Sequence, residues 1–230
     1  IQSTQYLAYR YLLSGSYNSS FQAVLVAPNG TALSWNLTRS TPVSRVGSWK
    51  KAECSKIGED VLYIKIPRFS GSPDPAKFVK QQLRSNLNVP YLIIDVRGNG
   101  GGDDRLSRRI NSLLLSRRLT YGHYVSAVAT ERLVYSIKPS KLRYSGQVLI
   151  LVDQGCFSAT ADFIEPLRQA KRATLIGRCI GGGGGNPTNG RIRLPDGLIA
   201  RFPISAFVGP QGDYLHETSG IEPDFTIYPT

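Results

Sequence analysis

Two segments of this sequence carry residue types and spacings that can do chemistry. In the first, the largely apolar run Tyr91-Leu-Ile-Ile-Asp-Val96 breaks into Arg97-Gly-Asn-Gly-Gly-Gly102. In the second, Gln147-Val-Leu-Ile-Leu-Val152 breaks into Asp153-Gln-Gly-Cys-Phe-Ser158 and continues as a helix-like stretch from Ala159. Each reads as a buried strand, a turn and a helix start. Glycine accepts positive φ and lets a ligand come close to the backbone. Consecutive amides aimed at one point stabilise an oxyanion. A serine at a helix start gains the positive end of the helix dipole. An anion-stabilising loop and a hydroxyl nucleophile are the two halves of an acyl-transfer site.

Simpler readings stand beside these. The glycine run could be a plain turn or a phosphate cradle. No Walker-type Gly-Lys-Ser/Thr follows, however, and Asp103-Asp104 repels phosphate. Ser158 could be an ordinary N-cap, and Asp162 a helix-start charge. Gly181-Gly-Gly-Gly-Gly185 could line a substrate groove or form a flexible flap, with a disordered loop as the simpler reading and Gly181, Gly182 and Gly183 as the candidate binding residues. His123 in its aromatic stretch reads as structural, and His216-Glu217 as an exposed loop pair.

The 230 residues suit one domain, or one domain with a small appendage, and 41% hydrophobic content allows a sizeable core. No apolar run approaches the ~20 residues of a bilayer span. The start, Ile1-Gln-Ser-Thr4, has no signal-peptide pattern, and the absence of methionine leads us to expect that the chain begins after a cut. The formal charge of +12 raises nucleic acid as a partner. The basic pairs Lys50-Lys51, Arg108-Arg109, Arg117-Arg118 and Lys171-Arg172 are scattered, so no specific nucleic-acid module is expected. A solvated basic surface facing anionic polymers or membrane is the preferred reading. Cys54, Cys156 and Cys179 fit no zinc pattern. Cys156 and Cys179 could pair, with free thiols the simpler reading. No metal or cofactor is expected. Three sequons, at Asn18, Asn29 and Asn36, point to an exported protein.

The elements that must position the two motifs follow from pattern. Residues 1–13 suggest a short helix or strand. Residues 20–27 and 31–38 form a hairpin around Pro28-Asn-Gly30, and a polar stretch runs to about residue 58. Residues 61–66 alternate as a strand. Helices are expected over 74–88, 106–115 and 158–170, buried strands over 91–96, 147–152 and 173–177, and extended structure over 121–137. Residues 190–204 read as a hairpin around Pro195-Asp-Gly197, and 225–228 as a closing strand. Strands alternating with helices imply an α/β core with crossover connections.

Taken together, these segments resemble the S41 family of serine peptidases, the C-terminal-processing or tail-specific group. Asp95-x-Arg-x-Asn-x-Gly-Gly102 resembles that family's core motif, and Val152-Asp-Gln-Gly-Cys-Phe-Ser-Ala159 its nucleophile segment. Gly177-Arg-Cys-Ile-Gly-Gly182 resembles the strand-loop that follows. Glu217-Thr-Ser-Gly-Ile-Glu-Pro-Asp224 resembles the C-terminal signature. The resemblance covers roughly residues 60–228 and implies a ClpP/crotonase-like α/β core spanning 46–230. Residues 1–45 would then be lead-in strands, possibly closing a PDZ-type domain. It implies Ser158 as nucleophile, with an oxyanion hole from the amides of Gly101 or Gly102 and Ala159, and a protein or peptide substrate along an edge strand near the glycine loop.

One departure matters. The serine/lysine branch carries its lysine about 25 residues after the nucleophile, which here is Gly183, and no lysine follows Lys171. The sequence resembles instead the branch of tricorn core peptidase and the chlamydial protease-like factor. That branch uses a serine, a histidine from the N-terminal part of the polypeptide, and a glutamate. Glu217, 59 residues after Ser158, matches the glutamate. The histidine is expected upstream or from an associated segment or protomer, with His216 the weaker substitute. A non-catalytic peptide- or ligand-binding module on the same scaffold is the alternative function, and a nucleic-acid or polyanion binder the third.

Overall fold

The computed structural model describes residues 19–26, 30–38, 51–126, 133–183, 191–193, 199–214 and 220–227. The expectation for residues 1–13, together with Gly184, Gly185, His216 and Glu217, lies outside the described residues. The chain divides into two compact units, Ile1–Trp49 and Lys50–Thr230. In the first, β1 (Ser20–Val26) pairs antiparallel with β2 (Ala32–Thr38) in an unbroken register from Ser20↔Thr38 to Val26↔Ala32. This is the expected hairpin, with Gly30 at φ 84° in its connection.

The second unit is built on a six-stranded sheet. Its strands are β3 (Glu53–Ile57), β4 (Val61–Lys65), β5 (Tyr91–Asp95), β8 (Gln147–Val152), β9 (Thr174–Gly177) and β13 (Phe225–Thr226). The order across the sheet is β13-β9-β8-β5-β4-β3, all parallel except the β3–β4 pair. Crossovers carry α1 (Pro75–Ser85), α2 (Asp104–Leu114) and α3 (Ala159–Gln169). This is an α/β fold, as the alternation of patterns implied. Leu62, Ile64, Leu92, Ile94, Ile150 and Leu175 alternate into a core from which they are almost wholly excluded from water. Each stabilises by about 1.5–3 kcal/mol.

Local chemistry sets the helix ends. Asp74 caps α1 by accepting from the amides of Ala76 and Lys77, with Pro75 in the first turn, where its missing N–H costs nothing. The helix stops at Ser85, short of the expected Asn88, because the Asn86 amide turns back to Leu83 O and its side chain to Gln82 O. Asp103 caps α2 through Arg105 N, so the helix starts two residues before the first apolar position of its face.

A second sheet orders β12 (Ser205–Val208), β6 (Leu119–Ser126) and β7 (Leu133–Ile137), all antiparallel. It packs against α2 and α3 through Tyr121, Tyr124, Tyr135 and Phe207, whose rings stand 5.0–6.1 Å apart in tilted and edge-on pairs. β10 (Arg191–Arg193) pairs with β11 (Ile199–Arg201) as the expected hairpin. Two strands lack a sequence signal. β3 lies in the polar stretch, an edge strand with mostly exposed residues, so it shows no alternation. β12 follows Pro203 and is recruited by pairing with β6.

Candidate active site

The two motif loops leave neighbouring parallel strands at the same end, because β5 and β8 pair in register from Tyr91↔Gln147 to Asp95↔Leu151. They meet as the sequence implied. Ser158 precedes α3 with φ 55° and ψ −124°, a left-handed conformation rare outside glycine. Such a residue costs of order 1–3 kcal/mol and persists where its surroundings force it. Here the restraints are explicit. Ser158 N donates to Gly182 O at 3.0 Å, Phe157 N to Asn99 O at 3.1 Å, and Ala161 N to Ser158 O at 2.7 Å. The Ser158 side chain is half-buried and does not cap its own helix.

Asn99, wholly buried, joins the loops. Its Nδ2 donates to Ile66 O, its Oδ1 accepts from Gly101 N, and its carbonyl takes both Phe157 N and the Thr160 hydroxyl. Asp153 adds a second stitch, accepting from the Gly98 and Gly155 amides at 2.8 and 2.9 Å. Cys156 Sγ donates to Val96 O. Sequence reasoning gave Asn99 and Asp153 no role. The available signal was a short Asx side chain two residues before a glycine, the pattern of a local side-chain turn.

The glycines of the first loop have distinct uses. Gly101 (φ 100°) is buried against the Phe157–Ala159 segment: a Cβ there would stand 2.7 Å from Phe157 O, 2.8 Å from Ser158 Cβ and 2.9 Å from Ala159 N. Its amide, named above as one possible oxyanion donor, is already committed to Asn99 Oδ1. Among the described residues, the amides of Gly102 and Ala159 donate to no group. Gly102 is held by Phe69, whose N donates to Gly101 O and whose carbonyl accepts from Asp103 N.

Gly181, Gly182 and Gly183 run beside Ser158. Gly182 bridges to Phe157, and Gly181 N donates to Cys156 O. A Cβ on Gly183 would stand 2.2 Å from the Phe157 ring. The position where the serine/lysine branch has its lysine is therefore filled by the ring.

Asp95 closes the strand at the root of the first loop. Burial pushes its carboxyl up, yet hydrogen bonds from Arg97 and Tyr63 outweigh burial and hold it below the usual carboxylate range. The same pair raises the Arg97 guanidinium. Asp162, one turn into α3, is different. Burial raises it, the Asp104 carboxylate raises it further, and Arg108 only partly offsets this, leaving it at about 7. The half-buried Cys179 and the buried Cys156 are free thiols. His123 lies in β6 opposite Val134 and Val208, away from these loops in sequence and sheet.

A family model described as Peptidase family S41 matches residues 60–227. The chain belongs to peptidase family S41. Similar relatives include the chloroplastic C-terminal processing peptidase of Tetradesmus obliquus, 23% identical over 230 residues, covering 95% of this chain and 48% of the relative. Carboxy-terminal processing protease CtpB of Bacillus subtilis (strain 168) is 26% identical over 172 residues, covering 74% and 34%. This chain thus spans about half or less of the length of both. Among solved structures, mature CPAF complexed with lactacystin superposes with a TM-score of 0.72 at 14% identity, covering 98% of this chain and 68% of that one. At that identity the likeness is one of fold.

Proposed function

We propose that this S41 chain is the catalytic portion of a serine endopeptidase that cleaves peptide bonds in protein substrates, with Ser158 as nucleophile. The observation that carries this reading is the Ser158 hydroxyl itself. It is half-buried, held at positive φ at the start of α3, and makes no hydrogen bond among the described residues. A side chain so costly to place and so little used for structure suits attack on a carbonyl carbon.

In this mechanism Ser158 Oγ adds to the scissile carbonyl while a base removes its proton. The amides of Gly102 and Ala159 receive the developing oxyanion, with the α3 dipole behind Ala159. The tetrahedral intermediate collapses to an acyl-enzyme, the leaving amine takes the proton, and water releases the acid. Glu217 holds a histidine in one tautomer and stabilises its imidazolium. That histidine comes from the upstream polypeptide or from an associated protomer, with residues 1–45 as the end of a PDZ-type domain. An extended peptide lies beside Gly181–Gly183. The sequons favour an exported location. Among the described residues no helix is long and apolar enough to cross a membrane.

The non-catalytic alternative draws support from Gly183, where the Phe157 ring leaves no room for the lysine of the other branch. One experiment separates the readings. A fluorophosphonate should label Ser158 in the full-length protein, Ser158→Ala should abolish labelling and turnover, and Glu217→Gln should lower kcat by ~10²–10⁴-fold with an intact fold. The 230-residue chain alone should label slowly. Unlabelled full-length Ser158 would favour the binding module, and wild-type turnover in Glu217→Gln would remove the Ser–His–Glu assignment.

A further inference from the structure

The sequence between Asp104 and Asp153 carries nine Lys and Arg but a single acid, Glu131. The fold gathers many of these cations, and one from the α3–β9 turn, at the end of the sheet opposite the site. Arg117 and Arg118 follow the C-terminus of α2. Lys138, Lys141 and Arg143 lie on the β7–β8 connection. This connection is tied to that helix end by Ser140 N to Ser112 O at 2.7 Å and Tyr144 N to Leu113 O at 2.9 Å. Lys171 sits in the α3–β9 turn at φ 50°. Next to it, Arg172 fastens all three segments, donating from Nε to Leu114 O and from one terminal nitrogen to Tyr144 O and Gly146 O, each at 2.8 Å.

All six side chains are exposed. None makes an ion pair with a carboxylate among the described residues. Carboxylates at this end of the sheet flank the cluster: Glu59 and Asp60 in the β3–β4 turn, the Asp60 carbonyl accepting Tyr91 N, and Asp224, whose carboxylate caps Leu175 N. The half-buried Arg172 is occupied by carbonyls, so the backbone is braced while the other cations stay free. Like charges so grouped repel one another, and an anionic surface relieves that repulsion.

We propose that this basic pole is a docking surface for an anionic phospholipid bilayer. Its cations come from three loops and present neither a helix nor a ribbon to enter a nucleic-acid groove. Of the aromatic rings at this end of the sheet, Tyr144 is buried, and the exposed Tyr91 and Phe225, at the starts of β5 and β13, are three strands apart and form no continuous stacking platform. Pro139 and Leu142 are half-buried, so contact is electrostatic and without insertion. The six residues of β8 separate the pole from the Ser158 loops by about 20 Å. A docked molecule therefore keeps its cleft open to protein substrates at the bilayer surface. This proposal is independent of whether Ser158 is catalytic.

The test is co-sedimentation of the full chain with vesicles of phosphatidylcholine alone or mixed with phosphatidylglycerol. Binding should require the anionic lipid and be lost at about 0.5 M salt. At about five-fold per cation near an anionic surface, Lys138→Glu/Lys141→Glu/Arg143→Glu should weaken it by ~100-fold or more. The control Lys51→Glu/Lys77→Glu/Lys80→Glu makes the same net-charge change at exposed positions elsewhere and should cost only a few-fold. Equal loss in the two variants, or no preference for anionic vesicles, would overturn the proposal. Mixed-sequence duplex DNA binding more tightly than vesicles, with the same sensitivity to the first variant, would make the pole a nucleic-acid surface instead.

Discussion

Gly101 lies so close to Ser158 that a methyl on its α-carbon would stand 2.8 Å from the serine Cβ. The glycine is needed for this approach and also for its φ of 100°. Gly101→Ala should therefore push the two loops apart. The strained backbone costs about 1–3 kcal/mol, and a displacement of ~1 Å at the nucleophile costs about 10²-fold in rate. Thermal unfolding and fluorophosphonate labelling of the full-length protein would measure the two effects separately. Gly98, where a Cβ meets nothing within 4 Å, should lose stability through its φ with a smaller loss of labelling.

Asn99 is the buried hub of the same junction. Asn99→Ala leaves Ile66 O and the Gly101 amide without their partner and opens a gap beneath the loop. An unsatisfied buried polar group costs about 1–3 kcal/mol, so a loss of about 2–5 kcal/mol is expected in urea unfolding. Asn99→Asp keeps the acceptor for Gly101 and, protonated at acid pH, offers one O–H to Ile66 O, so it should fall between wild type and alanine there and lose more stability once ionised.

Asp162 should give the fold a pH dependence of unusual sign. Its folded value of about 7 exceeds the ordinary carboxylate value of 3.8. The folded state then holds a proton that the unfolded state releases between these limits, so this group's contribution falls as pH rises from about 4 to 7. The loss is at most about 4 kcal/mol. Asp162→Asn should flatten that slope and be the more stable protein at pH 8. Parallel slopes for the two proteins in denaturant unfolding against pH would refute the burial argument.

Cys156 should be inert. Its thiol is wholly buried, donates to Val96 O, and is pushed up mainly by burial. Thiol reagents on the native protein should modify Cys179 before Cys156, with Cys156 reacting only on unfolding. Mass spectrometry of labelled peptides would show the order. A Cys156–Cys179 disulfide in the isolated protein would contradict the free thiols.

The sequence by itself determined the α/β class, the three crossover helices and the two strand-turn-helix breaks. Those signals are local: apolar runs such as residues 147–152, caps such as Asp74, and glycines where strands end. It also determined that no lysine stands at position 183. It could not show β3 or β12, because an exposed edge strand and a strand held by its partner have no periodic apolar face. Only the tertiary structure decided which amides of the glycine loop are already used. That depends on Asn99 folding back onto Gly101, and on β5 and β8 pairing in register so that two loops some fifty residues apart meet. The basic pole has the same origin. Arg117, Lys141 and Lys171 lie far apart in sequence, and the hydrogen bonds of Arg172 bring their loops together.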